Sequence, residues 1–85
     1  MRPVVLFGHR HFCPQHGPGT VTTGATEANI GGRAIARVTD RISCGAVITT
    51  GAAGCEVEGQ PVARLGDQTD HGGVLEEGDS GWLVA

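Results

Sequence analysis

The sequence predicts an all-β fold in which three copies of a short, strand-rich unit close about a pseudo-threefold axis into a β-prism or cone. Three observations lead there. The chain of 85 residues spreads fifteen glycines along its length among many Val, Ile and Thr, the composition of short strands joined by tight turns. No stretch sustains the apolar periodicity of a helix. Finally, Gly24, Gly51 and Gly78 stand 27 residues apart, and a fixed interval of that size marks a repeat architecture.

The same interval separates Ala36 from Ala63, Arg37 from Arg64, Asp40 from Asp67, Gly45 from Gly72, Gly32 from Gly59, and Ile30 from Val57 and Val84 in turn. Arg37-Val38-Thr39-Asp40-Arg41-Ile42-Ser43-Cys44-Gly45 thus answers to Arg64-Leu65-Gly66-Asp67-Gln68-Thr69-Asp70-His71-Gly72. A further copy starts the chain, where Pro3-Val4-Val5-Leu6-Phe7-Gly8-His9 matches Pro61-Val62-Ala63-Arg64-Leu65-Gly66-Asp67 at an offset of 58, two periods plus four. The four extra residues fall in Pro14-Gln15-His16-Gly17-Pro18-Gly19, because Thr20-Val21 and Gly24 are back in register with Val47-Ile48 and Gly51. The copies run approximately over 1–31, 32–58 and 59–85, one domain in all. In the first copy Leu6 replaces the repeated Arg and His9 the repeated Asp.

Each copy reads as three short strands with turns at the glycines, for example Ala46 to Thr50, Cys55 to Glu58 and Pro61 to Leu65. Glu56-Val57-Glu58 alternates as a half-buried strand does. A unit of this size cannot bury its own apolar face, so the three must pack on one another. A linear stack would need capping repeats, and the sequence has none.

Packing alone gives such a chain little stability. A short domain buries a small share of its surface, and Trp82, Phe7 and Phe12 are its only aromatics besides histidine. A further staple is expected. The net charge of −3, with no cluster of Lys or Arg, argues against a nucleic-acid partner whose phosphates must be neutralised, and anionic membranes are equally poor partners. Val4 to Phe7 form too short an apolar run for a signal-peptide core or a membrane span, so synthesis and initial residence in the cytoplasm are expected. Cys13, Cys44 and Cys55 are odd in number, and without an export signal thiolates bound to metal are a better expectation than a disulfide framework.

The repeat locates the metal. Four residues after the Asp position stand Cys13, Cys44 and His71, which a pseudo-threefold axis would bring together. His16, in the first copy's insert, can supply a fourth ligand, and His11 lies two residues before Cys13. A closed tetrahedral shell of thiolate and imidazole at about 2.0–2.3 Å suits one structural zinc ion and disfavours calcium or magnesium. Five candidates, His11, Cys13, His16, Cys44 and His71, compete for four positions, and the repeat favours the last four. Binding of this kind contributes about 10–16 kcal/mol in zinc-finger peptides, where it becomes folding energy.

Other conspicuous residues have plainer readings. Cys55 shares its position with Ala28 and Trp82, outside the ligand column, and reads as a packed thiol. His9 reads as a solvent-facing turn residue, Asp40 and Asp67 as residues that tie down turns through backbone hydrogen bonds. Glu76-Glu77-Gly78-Asp79 reads as a solvated turn. Gly17-Pro18-Gly19 lacks the lysine and helix of a phosphate-binding loop.

Arg33-Ala34-Ile35-Ala36-Arg37 and Gln60-Pro61-Val62-Ala63-Arg64-Leu65-Gly66-Asp67 resemble the proline-alanine-alanine-arginine motif of the PAAR family, although neither is a literal copy. With His11-Phe12-Cys13-Pro14-Gln15-His16-Gly17, Ser43-Cys44-Gly45 and Asp70-His71-Gly72-Gly73, the resemblance extends over essentially the whole chain. It implies three β-repeats forming a sharp cone with zinc near its apex. The broad base would seat on the blunt end of the trimeric valine-glycine-repeat spike protein of a type VI secretion system.

The implied role is mechanical. A contractile sheath drives the spike, the tip touches the target membrane transiently, and nothing is turned over. A chain that is monomeric alone, assembles in the cytoplasm and leaves through the secretion machine follows from that role. Relatives carry toxin domains or bind effector proteins; this chain ends within or just after its third copy, so no fused effector is expected, and an adaptor for a separate effector is the alternative reading. A small zinc hydrolase is the competing enzyme reading, disfavoured because catalytic zinc keeps a position open for water. The family's usual three histidines and one cysteine would bring in His11 beside His16 and His71 and drop Cys13 or Cys44.

Overall fold

Residues 1–85 are described by a computed structural model in which every regular element is a strand. The order is β1 (Arg2–Val4), β2 (Arg10–Cys13), β3 (Gly17–Thr20), β4 (Asn29–Ile30), β5 (Arg33–Ala34), β6 (Glu56–Val57), β7 (Gln60–Pro61), β8 (Val74–Leu75) and β9 (Asp79–Val84). They form small antiparallel sheets: β1 with β9, β4 with β5, β6 with β7, and a three-stranded sheet ordered β3-β2-β8.

The strands are shorter than the alternating pattern predicts, and the hydrogen bonds give the reason. Three extended segments, around Val5, Ala36 and Ala63, each meet both of the others. Val5 donates its N–H to the Ala63 carbonyl (3.0 Å), Ala63 to Ala36 (2.9 Å) and Ala36 to Val5 (2.9 Å), a closed cycle. Phe7 to Ala34 (2.7 Å), Val38 to Pro61 (2.9 Å) and Leu65 to Pro3 (2.9 Å) close a second one. A segment that changes partner every few residues cannot accumulate a ladder. Pro61 to Leu65, expected as one strand, accordingly contributes Pro61 to β7, bridges Val62 to Arg37 and bridges Arg64 to Val4. Ala46 to Thr50 likewise divides its bridges, Val47 going to Arg41 and Ile48 to Thr69.

Side chains from these segments fill two apolar clusters. One contains Val5, Val21, Ala36, Ile42, Ala46, Ile48, Ala63 and Leu75, with Val38 and Cys44 packed against it. The other contains Val4, Leu6, Ile35, Ala52, Val62 and Val84, flanked by Ala28, Ile30, Cys55, Val57 and Trp82. Neighbouring residues such as Val4 and Val5 enter different clusters, as alternation along a strand requires. Most of the core is Ala, Val, Ile and Leu, so backbones approach closely.

Polar clamps fix the turns beside this core. Asp40 accepts the Arg37 N–H (2.8 Å) and the Thr23 hydroxyl (2.8 Å), and Asp67 accepts the Arg64 N–H (2.6 Å) and the Thr50 hydroxyl (2.9 Å). Each carboxylate also holds the guanidinium of the same arginine, at 3.0 Å in both cases. Both act as the turn ties read from the sequence.

His9 departs from its expected solvent-facing role: it is 3% exposed. Its Nδ1 accepts the Leu6 N–H at 3.0 Å, the bond that a carboxylate oxygen makes in the other two turns. Because Leu6 brings no guanidinium, a neutral ring suffices there. Burial, aided by Arg33, holds the imidazole below its ordinary range, with Glu77 and Asp79 opposing. The acidic stretch is also more than a solvated turn. Glu77 accepts the Arg10 N–H at 3.0 Å, and Asp79 opens β9. Cys55 is a half-buried thiol against the second cluster.

Candidate metal centre

Three tight loops deliver the predicted ligands to one place. Cys44 and His71 occupy matching turns, closed by Gly45 N–H to Ile42 (2.9 Å) and Gly72 N–H to Thr69 (3.1 Å). In both, the residue after the ligand has positive φ, +92° at Gly45 and +78° at Gly72, a conformation that side-chain-bearing residues resist. Pro14 stands at the corresponding place in the first copy and its ring forbids that φ. There β2 runs on to Cys13, the reversal is delayed to Gly17 (φ +77°), and the longer hairpin tip presents His16.

The ligand atoms of Cys13, His16, Cys44 and His71 all lie within 4.8 Å of one another. Cys13 Sγ is 3.3 Å from His16 Nδ1 and 3.8 Å from His71 Nδ1, and Cys44 Sγ is 3.8 Å from His71 Nδ1. A tetrahedron with metal–ligand bonds of about 2.0–2.3 Å has edges of about 3.3–3.8 Å. Those three spacings match it. The His16 and His71 rings tilt by 40° with centroids 5.2 Å apart, so neither stacks flat over the other's nitrogen. Cys13 is buried, Cys44 and His71 are half-buried, and His16 is exposed, which puts the cluster at the surface end of the first apolar cluster.

The electrostatics favour a metal-ready thiol. Burial acts to raise the Cys13 thiol, but hydrogen bonds involving the His16 ring, the Gln15 and His16 backbone and Cys44 outweigh it and hold the thiol below its ordinary value. Two thiols and two imidazoles gathered this closely could hold a metal ion.

His11, the fifth candidate, lies outside this group. It is completely buried, its Nε2 hydrogen-bonds the Thr69 hydroxyl at 2.9 Å, and its Nδ1 has no protein partner. Burial pulls it below the ordinary imidazole range, with Glu76 opposing and His71 assisting. Gly73 makes room for this ring, and neither it nor Thr69 is among the candidate ligands the sequence offers. A Cβ on Gly73 would strike the Phe12 carbonyl and sit 2.6 Å from His11 Nε2. The repeat held the signal, since His11 stands where the other copies have Ile42 and Thr69, an inward-facing position.

An all-β chain of interlocked short ladders, bearing a two-cysteine, two-histidine cluster able to hold a metal ion, is thus defined by its fold and its site. The model of the PAAR motif family matches residues 1–50 and 15–77, and the chain belongs to that family. Comparison with curated proteins gives no match.

Proposed function

We propose that this chain is the metal-stabilised tip of a type VI secretion spike, seated on a trimeric valine-glycine-repeat spike protein, and that its ion is a structural zinc held by Cys13, His16, Cys44 and His71. The observation that carries the reading is the gathering of those four side chains from three separate loops, in a chain of the PAAR family. Four protein ligands leave no open position for a reacting water, which favours a structural over a hydrolytic ion. The cycles through Val5, Ala36 and Ala63 support an arrangement of three repeats about an axis. Cyclic geometry of that kind offers a trimer three comparable contacts, from the β1-β9, β4-β5 and β6-β7 ladders around the second apolar cluster. On this reading the chain assembles in the cytoplasm and leaves with the spike.

The test mixes purified chain with its candidate spike trimers and measures mass by light scattering. One chain per three partner chains is expected, and a chain that stays free of every trimer overturns the docking role. Cobalt substitution tests the ion separately. Bands of closed four-coordinate S/N ligation support the centre, and an exchangeable water or no stoichiometric binding refutes it.

A further inference from the structure

The two sulfurs of the cluster have a second use. We propose that Cys13 and Cys44 form a disulfide when the chain is metal-free and meets an oxidant of the peroxide class, so that one position is closed either by an ion or by a covalent bond. The inference rests on sulfur positions and goes beyond the docking role.

Cys13 lies at the end of β2 and Cys44 in a separate turn, yet their Sγ atoms are within 4.8 Å. A disulfide requires that gap to close to about 2.05 Å, and no other side chain's sulfur is in the cluster to compete. Cys44 is half-buried and Cys13 fully buried, so Cys44 is the more accessible of the two to a peroxide. The third thiol, Cys55, packs against the other apolar cluster and takes no part.

The chemistry balances. The Cys44 sulfur attacks a peroxide oxygen, the O–O bond breaks, and one oxygen leaves as water with the thiol proton, giving a sulfenic acid. The Cys13 sulfur then attacks the Cys44 sulfur, the S–O bond breaks, and the second oxygen leaves as water with the Cys13 proton. Two thiols are oxidised by two electrons and hydrogen peroxide is reduced to two waters.

The experiment treats metal-free full-length chain with hydrogen peroxide, then reads intact mass, free thiols and the cross-linked peptide. The expected product is a monomer lighter by two hydrogens, with Cys55 its single free thiol and Cys13 joined to Cys44. The C55S variant is expected to form the same link. Opening of the chain in the absence of metal gives a different answer. Cys44 and Cys55 are 11 residues apart and Cys13 and Cys44 are 31 apart, so loop closure in a coil favours the Cys44–Cys55 pair by about fivefold. A Cys44–Cys55 link, a sulfinic acid at Cys44 with Cys13 still free, or disulfides only between chains would overturn the proposal.

Discussion

Replacing Asp67 with alanine is expected to be among the most damaging single changes in this protein. Asp67 is 2% exposed, and its two oxygens accept from the Arg64 N–H (2.6 Å), the Arg64 Nε (3.1 Å) and Nη2 (3.0 Å), the Thr50 hydroxyl (2.9 Å) and Arg2 Nη2 (3.4 Å). Without the carboxylate, the Arg64 guanidinium, whose side chain is only 16% exposed, keeps its charge and loses its partner, and a backbone N–H loses its acceptor. Breaking a buried pair from one side costs about 3–5 kcal/mol. That is a large part of the roughly 5–15 kcal/mol that holds a typical domain folded. At about 4–8 °C per kcal/mol for a chain of this size, the melting temperature should fall by more than about 12 °C. Urea unfolding of metal-loaded protein, followed by the fluorescence of half-buried Trp82, measures the loss directly. R64A/D67A should lose clearly less than the two single variants together, because the one charge it leaves unpaired, Arg2, is partly exposed to solvent. A D67A loss under about 1 kcal/mol, or strict additivity in the double variant, would refute the clamp as a source of stability.

Two further outcomes follow from the geometry. Gly73→Ala should destabilise by about 1–3 kcal/mol through forced overpacking against the Phe12 carbonyl and His11, whereas Gly54→Ala, with open space around the added carbon, should stay within about 1 kcal/mol of the parent; thermal melts of the pair check the contrast. His9 should make stability fall in mild acid. Its folded pKa is below the 6.5 of the unfolded chain, so its contribution is complete above pH 6.5 and is lost as pH falls from there toward the folded value. H9Q, which keeps an acceptor for the Leu6 N–H, should show a shallower acid decline in melts between neutral pH and pH 5, and an unchanged decline would remove His9 as its source.

Much of the local structure could be read from the chain because residues spaced 27 apart do matched jobs. Asp40 and Asp67 share a position and make the same bonds. Cys44 and His71 share a position and lie at equivalent points of equivalent turns. Strand lengths were hidden, because alternation reports which face is buried and not how often a segment changes partner, as Val62 and Arg64 do. His9 was misplaced for the opposite reason. Treating it as a departure from the repeat concealed that an imidazole nitrogen can accept the same N–H as a carboxylate oxygen. The position of His11 against Thr69 depended on a third dimension that spacing along the chain lacks, although its alignment with Ile42 already pointed inward.

The pairing of β1 with β9 has a consequence for the order of events in folding. Arg2 is made well before its partner Val84, and Arg64 Nη1 reaches the Ala85 carbonyl at 2.9 Å. Contacts between residues so far apart in sequence slow the search for the native state. A nascent chain that has not yet released Asp79–Val84 must therefore wait with one flank of β1 bare, and β9 acts as the latch.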